Sequence, residues 1–172
     1  HPRQVLHADY VPSLLSTLDE KVELLRQTQV DEVHVLHFTP EMASMDARQF
    51  MREVLADELH VVVLLMGYDH RFGRGGGTFP EYCAWGREAG IQVMLASALP
   101  GEKVSSSVIR RLLSQGDVTG ADELLGRPYR LTGMVRGGHR VGRLLGFPTA
   151  NISLPAGKLI PAGGVYAVRV QL

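Results

Sequence analysis

Three short segments carry residue types suited to phosphate chemistry. The first is Gly67-Tyr68-Asp69-His70-Arg71-Phe72-Gly73, where Asp69 and Arg71 offer opposite charges between glycines that let a backbone approach a ligand closely. A solvated turn with a surface ion pair accounts for the same residues. The second is Lys103-Val104-Ser105-Ser106-Ser107-Val108-Ile109-Arg110, a hydroxyl run leading into a helix with Arg110 about one turn inside. A helix N-terminus has unpaired N–H groups and a positive dipole end, so Ser106, Ser107 and Arg110 could gather a phosphate there; ordinary capping is the alternative. The third is Gly142-Arg143-Leu144-Leu145-Gly146-Phe147-Pro148-Thr149-Ala150-Asn151. The oxygens of Thr149 and Asn151 are hard ligands of the kind Mg²⁺ accepts beside nucleotide phosphates, whereas the phosphate loop ending in Gly-Lys-Ser/Thr is absent.

The elements around these segments alternate. Ser16-Thr17-Leu18-Asp19-Glu20 resembles a capped helix start, so a helix is expected over 17–28, with a short strand over 32–38 and a helical turn opened by Pro40. Asp46 with Gln49 caps a helix whose inner face is Phe50, Met51, Val54, Leu55 and Leu59. Val61 to Met66 is a continuous apolar run, the pattern of a central parallel strand covered on both faces, and the first segment follows it where parallel sheets bind ligands. A helix over 80–88 ended by Gly90, a strand over 91–96, a helix over 106–115 stopped by Gly116 and a shorter one over 119–125 come next. Such alternation implies a doubly wound α/β domain, because parallel neighbours need crossover connections. Gly126-Arg127-Pro128 breaks the pattern, and strand-like runs at 129–136 and 164–170 follow. The expected division is therefore 1–125 and 126–172.

Eighteen basic residues against eighteen acidic ones leave no overall field for nucleic acid or anionic lipid, so any phosphate site must be built locally. The longest strongly apolar run is too short to span a bilayer, and the first residues lack a signal pattern; no membrane partner and a cytoplasmic location are the expectations. Both ends look cut. The single Cys83 reads as a small packing residue and Tyr82 and Trp85 as core. His34 and His37, on opposite faces of the expected strand, read as packing or surface residues, and Glu20, Glu23 and Arg26 as a solvated helix face.

At all three segments the sequence resembles the prokaryotic bifunctional riboflavin kinase/FMN adenylyltransferase family, also called FAD synthetase. GYDHRFG is similar to its adenylyltransferase segment, KVSSSVIR to its Ser-Ser-Thr-x-x-Arg signature, and GRLLGFPTAN to its kinase Pro-Thr-Ala-Asn motif, the most specific of the three. LLGRPYRLTGMV resembles the interdomain junction, and His1-Pro2-Arg3 the stretch after the family's first phosphate-binding strand and helix. His70 stands where an aromatic is usual and Ser107 where Thr is usual. The family's Gly-x-Phe-Asp and His-x-Gly-His-like segments, and its kinase glutamate, have no counterpart in these residues.

The resemblance implies a Rossmann-like nucleotidyltransferase sheet followed by the start of an antiparallel riboflavin kinase β-barrel. It also implies ATP, riboflavin, FMN and FAD as substrates or products, with Mg²⁺ as cofactor. Gly67, Asp69, Arg71, Ser106, Ser107 and Arg110 fall to the adenylyl site, and Gly142, Gly146, Thr149 and Asn151 to the kinase site. Arg110 and Asn151 are the expected catalytic groups, and Thr149 and Asn151 the Mg²⁺ ligands. These residues alone are expected to be inactive. A monofunctional nucleotidyltransferase is one alternative, though it should lack the Pro-Thr-Ala-Asn motif; a non-catalytic flavin- or nucleotide-binding fragment is another.

Overall fold

The computed structural model of the chain describes residues 9, 11–97, 104–138, 141–144 and 146–172. His1-Pro2-Arg3, Lys103 and Leu145 lie outside them. Two compact units divide the chain, His1–Tyr10 with Val35–Glu102, and Val11–His34 with Lys103–Leu172.

In the first unit Thr39 caps helix α2 (Pro40–Ser44), and Asp46 caps helix α3 (Ala47–Phe50) by accepting the Gln49 N–H at 2.8 Å. The chain then runs on as a π-helical stretch, Met51–Glu58, where a plain α-helix was expected; nothing in its residue types explains the wider turn. Met51, Val54 and Leu55 nevertheless face inward, as their spacing requires. Strand β1 (Val63–Met66) pairs in parallel with β2 (Gln92–Leu95), with Val63 opposite Gln92 and Met66 opposite Leu95. Helix α4 (Phe79–Glu88) makes the crossover between them. Its start is fixed by Glu81, whose carboxylate accepts both the N–H and the hydroxyl of Thr78, and its end by Gly90 at φ +75°. Gly86 lets the helix lie on the sheet, since a Cβ there would come within 2.6 Å of Val93.

Ala47, Met51, Leu55, Met66, Tyr82 and Ile91 form the core of this unit. Tyr82 and Trp85 pack there as expected, and Cys83 is half-buried. Two expectations are corrected. Among the described residues β1 has one strand neighbour, and Val62, Val63 and Leu65 are exposed, where a central strand covered on both faces was expected. Residues 32–38 are extended but form no strand: a strand exists only through its ladder, and no described segment pairs with this one. His34 is exposed and bonds Glu32 at 3.0 Å.

In the second unit Thr17 and Glu20 form a reciprocal capping box at the start of helix α1 (Leu18–Arg26). Helices α5 (Ser106–Ser114) and α6 (Val118–Leu125) make a hairpin through Gly116 at φ +82°, and Ile109, Leu113 and Ala121 are its core. Strand β3 (Met134–Arg136) pairs antiparallel with β4 (Asn151–Ser153), and a short helix α7 (Val141–Leu144) lies between them in sequence. The strand expected over 129–136 is thus confined to its last three residues. The run at 164–170 forms no strand among the described residues; its Val165, Val168 and Val170 are exposed, without a ladder. The strand that does pair, at Asn151, carries no long alternation to announce it.

Tyr82→Phe tests what fixes the loop after β1. The Tyr82 hydroxyl donates to the Phe72 carbonyl at 2.8 Å and accepts the Phe72 N–H at 3.0 Å. Its loss should lower stability by about 1–3 kcal/mol in urea unfolding. An unchanged midpoint would mean that water replaces both bonds.

Candidate functional site

The loop after β1 is anchored at its end and free at its tip. Gly67 starts a turn closed by the His70 N–H on the Gly67 carbonyl at 3.0 Å, and Asp69 and Arg71 stand exposed on it. No ion pair joins them, so the surface-pair reading of this motif does not hold. Phe72 is held by the Tyr82 hydroxyl and by rings on both sides, its centroid 5.5 Å from Phe50 and 4.7 Å from Tyr82. Gly73, at φ +78°, lies so close to α3 that a Cβ would fall 2.3 Å from the Ala47 nitrogen. The loop therefore presents both charges from a packed base.

In the second unit the helix cap falls to Ser105, whose hydroxyl accepts the Val108 N–H at 3.3 Å. Ser106 and Ser107 are left exposed on the first turn of α5, which itself holds no acidic residue. Arg110 is half-buried one turn on, its Nε donating to the Ser13 carbonyl at 2.7 Å. The expected adenylyl residues thus form two groups, Gly67 with Asp69 and Arg71 in one unit, and Ser106, Ser107 and Arg110 in the other.

The kinase-type segment folds back on itself. The Phe147 N–H donates to the Gly142 carbonyl at 2.7 Å, and Gly146 turns the chain at φ +82°. A Cβ on Gly142 would lie 2.3 Å from the Phe147 carbonyl and 3.3 Å from the Thr149 hydroxyl, so Thr149 sits against Gly142. Asn151 opens β4 opposite Arg136, and its amide lies against Gly138. Thr149 and Asn151 are both exposed. Among the described residues no group of three His, Cys, Asp or Glu could hold a metal alone. The neutral oxygens of Thr149 and Asn151 fit an Mg²⁺ that arrives with nucleotide phosphates.

A buried ion pair escaped the sequence reading. Glu20, expected on a solvated face, is 4% exposed, and its Oε2 accepts from the Lys158 Nζ at 2.6 Å and from the Thr17 N–H at 3.0 Å. Lys158 also donates to the Leu15 carbonyl at 2.9 Å and lies 4.7 Å above the Tyr129 ring. Burial works to raise the Glu20 carboxyl, but hydrogen bonds from Lys158 and Thr17 outweigh it and hold the group below its ordinary range. Burial lowers the Lys158 ammonium against the pull of Glu20, and burial with the Glu20 charge pushes the Tyr129 phenol up to about 12. Glu23 does keep to the surface, paired with Arg130. The capping box was legible, but a partner 138 residues away leaves no local signal.

The FAD synthetase family model matches residues 1–108 and the riboflavin kinase model residues 125–172. The chain belongs to the FAD synthetase family. Proteins named bifunctional riboflavin kinase/FMN adenylyltransferase are similar along almost all of it. The Haemophilus influenzae protein is 36% identical over 99% of this chain and 56% of its own length. The Bacillus subtilis protein is 34% identical over 100% of this chain and 55% of its own. The chain thus spans about half the length of these curated relatives. A crystal structure described as a macrolide-efflux protein from Streptococcus pneumoniae superposes at TM-score 0.79 and 30% identity, over 96% of this chain and 55% of the other. Among the described residues, no helix is long and apolar enough to cross a membrane.

The buried pair has a pH signature. Because the Glu20 carboxyl is lowered in the folded state, the unfolded chain takes up its proton first as pH falls, and the stabilisation present above the ordinary value of 4.5 is lost below it. Glu20→Gln should cost about 3–5 kcal/mol near neutrality by stranding the Lys158 charge. In thermal melts the gap to the wild type should close as pH drops through the carboxylate range. A constant gap down to strong acid would show that folding leaves the Glu20 carboxyl unshifted, against its pairing with Lys158.

Proposed function

We propose that this chain carries parts of two active sites of one FAD-forming enzyme, a riboflavin kinase and an FMN adenylyltransferase. Two consecutive family matches, adenylyltransferase type and then kinase type, support this reading. A monofunctional nucleotidyltransferase would not account for the riboflavin kinase match at residues 125–172. The observation that carries the adenylyl half is the division of labour at α5, where Ser105 alone does the capping and Ser106, Ser107 and Arg110 remain for a ligand.

In the adenylyl step an FMN phosphate oxygen attacks the α-phosphorus of ATP, the bond to the β-phosphate oxygen breaks, and pyrophosphate leaves. Ser106 and Ser107 hydroxyls, the α5 N-terminus and the Arg110 guanidinium bind the phosphates and offset the charge that builds on the departing oxygens. Asp69 and Arg71 orient nucleotide or flavin from the loop whose Gly67 allows close approach. In the kinase step the riboflavin hydroxyl attacks the γ-phosphorus, ADP leaves, and the proton passes to a base. Gly142 and Gly146 shape the loop around the nucleotide, and Thr149 and Asn151 hold the Mg²⁺–nucleotide. When bound, Mg²⁺ supplies charge neutralisation to the phosphates.

The finer architecture belongs to the same proposal. The parallel pair β1–β2 with its exposed outer face is read as part of a larger Rossmann-like sheet, and β3–β4 as part of an antiparallel barrel. The functional division is placed at residue 125, with 126–172 as the kinase part. A cytoplasmic enzyme acting on small flavins and ATP is the setting this chemistry implies.

In the full-length enzyme Arg110→Ala should depress FMN adenylylation by about 10²-fold or more while leaving riboflavin phosphorylation intact, and Asn151→Ala should do the reverse. Separate assays starting from riboflavin and from FMN, with melting temperatures as control, read the pattern. Equal loss of both activities from either substitution, with folding intact, would refute the two-site assignment.

A further inference from the structure

The irregular residues Ser13, Leu14 and Leu15 connect Arg110 to a segment far away in sequence. The Ser13 carbonyl accepts from Arg110 Nε at 2.7 Å. Leu14 bridges to Lys158 in parallel fashion, its N–H donating to the Gly157 carbonyl at 2.7 Å and its carbonyl accepting the Leu159 N–H at 2.9 Å. The Leu15 carbonyl accepts from the Lys158 Nζ at 2.9 Å. Gly157, at φ +78°, permits the approach, because a Cβ there would lie 2.8 Å from the Pro12 carbonyl.

Residues 11–16 form no helix or regular strand, so the position of the Ser13 carbonyl depends on the bonds its neighbours make. Those bonds run to Gly157, Lys158 and Leu159. Nε is the guanidinium nitrogen nearest the backbone; a bond there fixes the plane of the group and leaves its two terminal nitrogens for an anion. Lys158 is itself fixed by burial and by Glu20, and so cannot swing away. We infer that Lys158, through the Ser13–Leu15 strap, is a positioning residue for the Arg110 guanidinium in FMN adenylylation. The inference rests on the reading of Arg110 as a phosphate-binding group. A residue within the riboflavin kinase match would then tune the adenylyl site.

The test uses the full-length enzyme with Glu20→Gln and Lys158→Met combined, which strands no buried charge and keeps a side chain able to complete the α1 cap. KM for ATP in adenylylation should rise and kcat/KM should fall about tenfold or more, with riboflavin phosphorylation unchanged. In an Arg110→Ala background the same pair should cause no further loss, because both changes act through one group. Additive losses, or normal adenylylation in the pair variant where Arg110→Ala is damaging, would overturn the strap and leave the reading of Arg110 standing. A harmless Arg110→Ala would sink that reading, and the inference with it. One measurement needs no variant: the Arg110 Nε–H resonance of the wild type should exchange slowly with water, and exchange at the rate of a free guanidinium would overturn the proposal.

Discussion

The buried Lys158 ammonium is the constraint around which the second unit is arranged. An ammonium taken out of water must be met by a countercharge and acceptors, and here the Glu20 carboxylate, the Leu15 carbonyl and the Tyr129 face supply them. Each partner fixes a different piece of chain: α1, the irregular residues before it, and the segment after α6. Tyr129 is tied further, its hydroxyl to the Leu159 carbonyl at 2.7 Å and its N–H to Asp122 at 2.7 Å. The Glu20 Oε1 is buried without a well-formed hydrogen bond to a described residue, although the nearby Thr132 hydroxyl helps to hold the carboxyl low. An apolar pair could serve stability as well; what the ion pair adds is one permitted arrangement of three separate segments.

The first unit reaches the same end with neutral groups. Tyr82 is 1% exposed, yet its hydroxyl holds both backbone groups of Phe72, and Gly73 brings the chain against α3 where no other residue would fit. The charged side chains proposed to meet a ligand thus sit on a short exposed turn, while the residues that aim the turn are packed in the core. Helix α5 repeats the logic, with Ile109 and Leu113 buried on one side and Ser106 and Ser107 exposed at the end. With a formal net charge of zero, the proposed attraction for phosphate has to come from these local arrangements.

Local signals in the sequence were reliable where the physics is local. Thr17 with Glu20, Asp46 with Gln49 and Ser105 with Val108 place helix starts through bonds spanning three residues, and Gly90 and Gly116 end helices through positive φ. The parallel pair was legible from Val61–Met66 and Ile91–Ala96 because aliphatic runs divided by a helix have few other solutions. Partners remote in sequence were not legible. Alternation at 164–170 looks like a strand whether or not a ladder forms, and β4 is too short to show a pattern. Glu20 carries the local pattern of an exposed helix, and nothing near it in sequence points to Lys158. The three motifs single out the residues proposed for the chemistry, but the fixing of Arg110 by Ser13, a backbone carbonyl, has no side-chain signature.

If Lys158 holds the strap in place, then the strap, residues 157–162 and α5, joined through Arg110 to Ser13 and Ala162 to Leu113, should open as one cooperative body. Amide hydrogen exchange of the full-length protein measures this directly at Leu14, Leu159 and Ala162, whose N–H groups donate to Gly157, Leu14 and Leu113. They should exchange with the same opening free energy as Leu113 in the helix core, and all four should speed up together when Glu20→Gln and Lys158→Met are introduced. Fast exchange at Leu14 and Leu159 beside a protected Leu113 would contradict the claim, because the strap would then open without disturbing the helix that carries Arg110.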